Sequence, residues 1–198
     1  MSVLLEYILP PIARMPKRVE RLTGITLNFL RHGGRDPATG REVRRARAFR
    51  SVFHDFQAFC RARAGGRLVL VAHHARFDVR MLEGELRRWR RSAHGATAPA
   101  LGDVFSHSLD SIAVFREARW WQPHAGGAAA LARPASFKLS RLHSHVLGKS
   151  IANAHNAVGD VRALDRLLVS KHFEGWESTS KRHFLPFAVS ERPRKQFS

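Results

Sequence analysis

Apolar residues recur along this chain with two different periods. Steps of three and four join Phe49, Val52, Phe53, Phe56 and Phe59, and again Val79, Leu82, Leu86 and Trp89. That spacing draws one face of an α-helix in each segment. Between them RLVLVA, residues 67–72, is nearly continuous in apolar side chains, the pattern of a strand buried on both faces, and Gly65-Gly66 closes the helix before it. Residues 3–9, VLLEYIL, predict a strand ended by Pro10 and Pro11. Residues 16–31 predict a helix, or two short helices broken at Thr23-Gly24. The polar stretch from Arg31 to Arg47, with a turn-like DPATG at 36–40, reads as an exposed basic insertion.

Farther along, DVFSHSLDSI predicts a strand, with Asp110 or Ser111 suited to cap a helix over IAVFREARWW. Residues 122–135, rich in Pro, Gly and Ala, read as a loop. FKLSRLHSHVLG and AVGDVRALDRLLVS predict two more helices, joined by a connector that contains His155. The chain from 179 onward reads as irregular. The elements together describe one α/β domain over residues 1–172, followed by a basic tail over 173–198.

Charge changes this picture more than composition does. Lys and Arg total 34 against 16 acids, for a net charge of +18 and a pI near 11.7, and Arg outnumbers Lys 28 to 6. Such a field draws polyanions, in a salt-dependent way. GC-rich codon usage would raise the Arg count as well, so the charge alone does not choose a function. No apolar run has the length of a membrane span, and the first residues lack the order of a signal peptide. The single cysteine, Cys60, forbids an intramolecular disulfide. An intracellular location, cytoplasmic or nuclear, is the expectation. Twelve scattered His, paired only at His73-His74, give no zinc-ligand spacing.

Two segments place ionisable groups awkwardly for a purely structural role. Asp160 stands three and four residues from Ala157 and Leu164 in an apolar stripe of Ala157, Val161, Leu164 and Leu168. A carboxylate aimed inward needs a cation, a hydrogen-bonding partner or a metal. His155 lies five residues earlier, and a capping and packing arrangement is the plainer account of the pair. In LVLVAHHARFD, residues 68–78, a buried strand delivers a polar turn and then Asp78 at a helix start, where open α/β sheets bind ligands. An early-turn Asp also suits the helix dipole without any ligand.

The strand followed by HHARFD, and HNAVGD at 155–160, resemble the second and third motifs of the DEDDh 3′-to-5′ exonucleases, whose fold is ribonuclease H-like. RLTGIT (21–26), LDSI (109–112) and FKLSRLHSHVLG resemble flanking segments of that family, nearest to the three-prime repair exonucleases and PML-type exonuclease-like domains. The resemblance covers about residues 5–170. It implies two-metal phosphodiester hydrolysis with Mg²⁺ or Mn²⁺, with Asp78 and Asp160 as metal-site carboxylates and His155 as general base. His74, Arg76 and Lys138 are the candidate nucleic-acid contacts, with His74 standing where the family commonly has asparagine.

The first family motif, Asp-x-Glu, is absent, and Glu6 in VLLEYILP is a poor substitute. The expected fold is therefore a ribonuclease H-like sheet lacking its first strands, with an incomplete metal site. A fragment, a degenerate exonuclease and a partner-supplied strand are the competing explanations. The rival function is a non-catalytic nucleic-acid-binding or protein-interaction module of the same descent. DNA or RNA is the expected partner, no membrane is expected, and the oligomeric state is open, a homodimer included.

Overall fold

The computed structural model describes residues 4–37, 39–63, 68–92, 98–122, 131–151 and 156–187. It is a mixed α/β structure that divides into two compact units, Met1–Phe59 with Phe115–Trp176, and Cys60–Val114 with Glu177–Ser198.

In the first unit the expected break at Gly24 separates α1 (Lys17–Thr23) from α2 (Leu27–His32). Gly24 sits at φ 71°, and a Cβ there would meet the Pro37 ring at 2.9 Å, so only glycine fits the turn. Thr26 then caps α2 by accepting the Phe29 amide. The strand expected at 3–9 does not form. Its described part makes one parallel bridge, Ile8 to Arg47, because only the Tyr7 carbonyl and the Leu9 amide find partners, both on Arg47.

The stretch 31–47 is largely exposed, as expected of an insertion, but it is not a plain loop, since it carries a short hairpin of β1 (Gly34–Arg35) and β2 (Glu42–Val43). Its organiser is Asp36, which is only 1% exposed. Asp36 Oδ1 accepts the Thr39 amide at 3.0 Å and Oδ2 accepts the Tyr7 hydroxyl at 2.9 Å. Its backbone closes the turn, with Asp36 N donating to Arg41 O and Gly40 N donating to Asp36 O. A buried acid thus does what apolar residues do elsewhere in the unit.

The aromatic stripe forms α3 (Phe49–Arg61) as expected, with Val52 and Phe53 buried. The helix expected over 112–121 is instead α5 (Ser111–Phe115) followed by a 3₁₀ turn at Ala118–Trp121. That turn sets Trp120 and Trp121 edge-on to Phe173, at ring distances of 5.4 and 5.9 Å, while Phe115 packs on the same ring at 4.6 Å. Two packed helices, α6 (Leu139–Leu147) and α7 (Ala157–Leu168), complete the unit with Leu142, Ala163, Leu164 and Leu167 buried. Val161, placed in the apolar stripe by sequence, is 54% exposed. The buried row runs through Ala163, Leu164 and Leu167, and at 100° per residue Val161 falls outside it.

The second unit holds a three-stranded sheet in the order β3 (Leu68–Ala72), β4 (Phe105–Asp110), β5 (Phe184–Pro186). β3 and β4 are parallel, and β5 is antiparallel to β4. The segment from 179, expected to be irregular, therefore supplies a strand. β3 is half-buried along its length rather than fully buried, since among the described residues it pairs with β4 alone. α4 (Ala75–Arg90) packs on both parallel strands through Ala75, Leu86 and Trp89. Among the described residues, no helix is long and apolar enough to cross a membrane.

Candidate functional site

The chemistry of the second unit gathers where β3 and β4 end. β3 passes into the turn His73-His74, and α4 begins at Ala75. His74 holds a left-handed conformation, φ 74°, and is the one non-glycine residue with positive φ among those described. Strain of this kind persists where surrounding bonds enforce it. Here the enforcing bond comes from Asp110 at the end of β4, whose Oδ1 accepts the His74 amide at 3.0 Å and the Ile112 amide at 3.0 Å. His73 Nδ1 and Ser111 Oγ share a further hydrogen bond of 2.9 Å. The two parallel strands are tied together at their carboxyl ends.

Asp78 sits one turn into α4, half-buried. Burial raises its pKa above the ordinary 3.8, the charge of Asp110 raises it further, and its own backbone amide and His74 oppose the shift. The structure thus brings His74, Asp78 and Asp110 together. Because the folded state disfavours the Asp78 carboxylate, its stability contribution is full below the unfolded pKa and is lost as pH rises through the raised one. Asp78→Asn is accordingly expected to raise the melting temperature at about pH 7, with the gain shrinking toward pH 3.8. Paired thermal melts across that range check this, and a gain independent of pH would refute the role given to burial.

Arg76 and Arg80 are exposed on α4 beside these groups, and so is Phe77, at 61%. Phe77 was missed in sequence. Its signal was that it lies off the stripe of Val79, Leu82, Leu86 and Trp89, and an aromatic outside the apolar face of a helix faces water. Arg87 and Arg88, by contrast, are paired with Glu83 and Glu85 along the same helix.

The other sequence candidates belong to the first unit. Asp160 is half-buried in the first turn of α7, in line with Leu164 and Leu167, so its expected inward row is correct although the stripe was mis-centred. Asn156 caps that helix, accepting the Val158 and Gly159 amides at 3.0 and 3.3 Å. Lys138 is exposed at the N-cap of α6. His155 lies outside the described residues.

A two-metal centre requires several carboxylates around both ions. Among the described residues, no three His, Cys, Asp or Glu side chains group closely enough to hold a metal. The described side chains do not fit such a centre, and no hydrolytic step through metal is derived from them. Comparison with protein-family models finds no match, and no curated protein sequence matches the chain.

Proposed function

We propose that this chain is a nucleic-acid-binding α/β domain of the 3′-to-5′ exonuclease type, with a ribonuclease H-like sheet, that engages a strand of DNA or RNA. The observation that carries the reading is the edge where β3 and β4 end. There α4 opens with an exposed aromatic, Phe77, and two exposed cations, Arg76 and Arg80, that have no ion pair among the described residues, while the half-buried Asp78 lies on another face of the same helix. Bases stack on exposed aromatics, and guanidinium groups hold the phosphates between them. The position also obeys the rule that open α/β sheets bind ligands beyond the carboxyl ends of their strands.

A hydrolytic role is kept as the second reading on one feature alone, the nearness of the Asp110 charge to Asp78, although the described side chains do not themselves complete a metal centre. Both readings are separated by one set of measurements. Purified protein is mixed with 3′-terminal single-stranded and duplex DNA and RNA, with Mg²⁺ and with chelator, beside Phe77→Ala, Asp78→Ala and Asp160→Ala. Phe77→Ala is expected to weaken single-strand binding by about 1–3 kcal/mol, the contribution of one stacked base. Binding that ignores this substitution, or no binding at all, overturns the proposal. Mg²⁺-dependent shortening lost in Asp78→Ala supports hydrolysis, whereas shortening that survives both acid substitutions rejects these acids. Binding without shortening leaves the non-catalytic module.

A further inference from the structure

The geometry points to a second ligand site, in the first unit, built to hold a nucleoside monophosphate against Arg41, Arg162, Arg166 and the buried His143. A cavity of about 590 Å³ opens between the β1–β2 hairpin, α7 and His143 of α6. Its volume is that of a small-molecule site.

Three guanidinium groups line it, Arg41 from the hairpin and Arg162 and Arg166 from successive turns of α7. None of them has an ion pair among the described residues, whereas Arg47, Arg87, Arg88 and Arg119 each reach a carboxylate. Like charges spaced four apart on a helix repel, so Arg162 and Arg166 lower their energy when an anion arrives. Planar guanidinium forks match phosphate oxygens in particular.

The second, independent observation is His143. It is 2% exposed, its Nδ1–H donates to the Lys149 carbonyl at 2.7 Å, and its Nε2 is buried without a hydrogen-bond partner among the described residues, on a side chain that also lines the cavity. With Nδ1 committed as donor, the neutral ring presents Nε2 as an acceptor. A buried acceptor left unmatched is costly, so a ligand that brings a hydroxyl or N–H to it as the cavity wall adjusts is favoured. Two acids also line the cavity. Asp36 is already engaged by Tyr7 and Thr39, and Glu42 offers a second acceptor.

The ligand that satisfies all of this carries an anion and hydrogen-bond donors together. Inorganic phosphate supplies the first and little of the second. Leu5, Val43, Ile151 and Val158 add the apolar surface on which a flat base rests. A nucleoside monophosphate combines phosphate, hydroxyl groups and base, whether it is free or the terminal residue of a strand. Asp160 does not line the cavity. On α7 it lies roughly 140° around the helix from the face bearing Arg162 and Arg166, so this site goes beyond the one expected from the HNAVGD motif.

The test is calorimetric titration of the protein with adenosine 5′-monophosphate, with inorganic phosphate and with a short oligonucleotide, repeated on Arg162→Ala/Arg166→Ala and on Arg41→Ala. Adenosine 5′-monophosphate is expected to bind at least about tenfold more tightly than inorganic phosphate. The double substitution, which removes two exposed side chains and leaves the melting temperature unchanged, is expected to raise Kd about tenfold or more, and Arg41→Ala to act in the same direction. A free nucleotide preferred over the oligonucleotide identifies a soluble ligand, and the reverse identifies a strand end, each in keeping with the site. No binding of the nucleotide, equal binding of inorganic phosphate, or affinity untouched by the arginine substitutions overturns it. Nucleotide affinity lost in Phe77→Ala and kept in the arginine variants assigns the nucleotide to the α4 edge and overturns the cavity site.

Discussion

Asp36→Ala is expected to destabilise the protein by about 3 kcal/mol, since it removes two hydrogen bonds to a charged group at about 1.5 kcal/mol or more each. In a chain of this length that lowers the melting temperature by roughly 6–12 °C. The cause is local. The Asp36 carboxylate is the shared anchor of the hairpin turn, through Thr39, and of the extended N-terminal segment, through Tyr7. Tyr7→Phe should cost about 1.5–3 kcal/mol, because it leaves a buried carboxylate short of one donor. Burial and the neighbouring Asp36 push the Tyr7 phenol from 10.0 up to about 12. The folded state therefore favours the neutral phenol, and the stability it contributes holds below pH 10 and is lost as pH climbs through about 12. Denaturant titrations of the two single variants and the double variant check both points. Additive losses would show that Tyr7 and Asp36 do not act on one another.

The second large effect is on binding. Raising monovalent salt from about 50 to 200 mM should weaken single-strand affinity by roughly 300-fold to 10⁴-fold if six to ten phosphates are engaged. The net charge of +18 makes that number of contacts available. Part of the arginine excess is already committed inside the protein. Arg47 pairs with Asp55 at 2.5 Å, Arg119 with Glu117 at 2.8 Å, and Arg116 and Arg133 flank the Phe137 ring. Arg76 and Arg80 on α4 have no ion pair among the described residues, which suits them to the phosphate contacts proposed above. A plot of log Kd against log salt with a slope near zero would show that the arginine content reflects composition and not recognition.

The helices and β3 were legible in sequence wherever an apolar face recurred over two turns or more. α3 and α4 declare themselves through Phe53 and Leu86 and their neighbours, because burying one stripe against a core leaves a period of 3.6. The hairpin was not legible. Two-residue strands carry no alternation, and Asp36 within DPATG has the composition of a solvent turn although its side chain is buried. β5 escaped for a related reason, since FLP is three residues long and ends in proline, which edge positions tolerate. In α7 the period was right and the phase was wrong, because Ala157 and Val161 looked apolar while the packing fell on Ala163 and Leu167.

Of the candidate site, Asp78 was readable because a strand, a polar turn and a helix follow one another without a gap. Asp110 was readable only as a helix cap, and its bond to the His74 amide depends on the parallel register of β3 with β4, from Leu68–Phe105 to Ala72–Asp110. The cavity in the first unit had no local signal. Arg41 is about a hundred residues or more of chain from His143 and Arg162, and what unites them, a buried imidazole nitrogen and cations without partners among the described residues, exists only once the chain is folded.

Among the described residues β3 pairs along one edge only, which bears on how copies of the protein would meet. LVLVA is uncharged, free of proline and β-prone, and strands of that composition meet edge to edge when two copies come close. Mutual repulsion between highly cationic molecules is what holds them apart. A polyanion that neutralises this repulsion also removes the barrier, so the soluble lifetime of the protein is tied to the ratio of the two in the mixture.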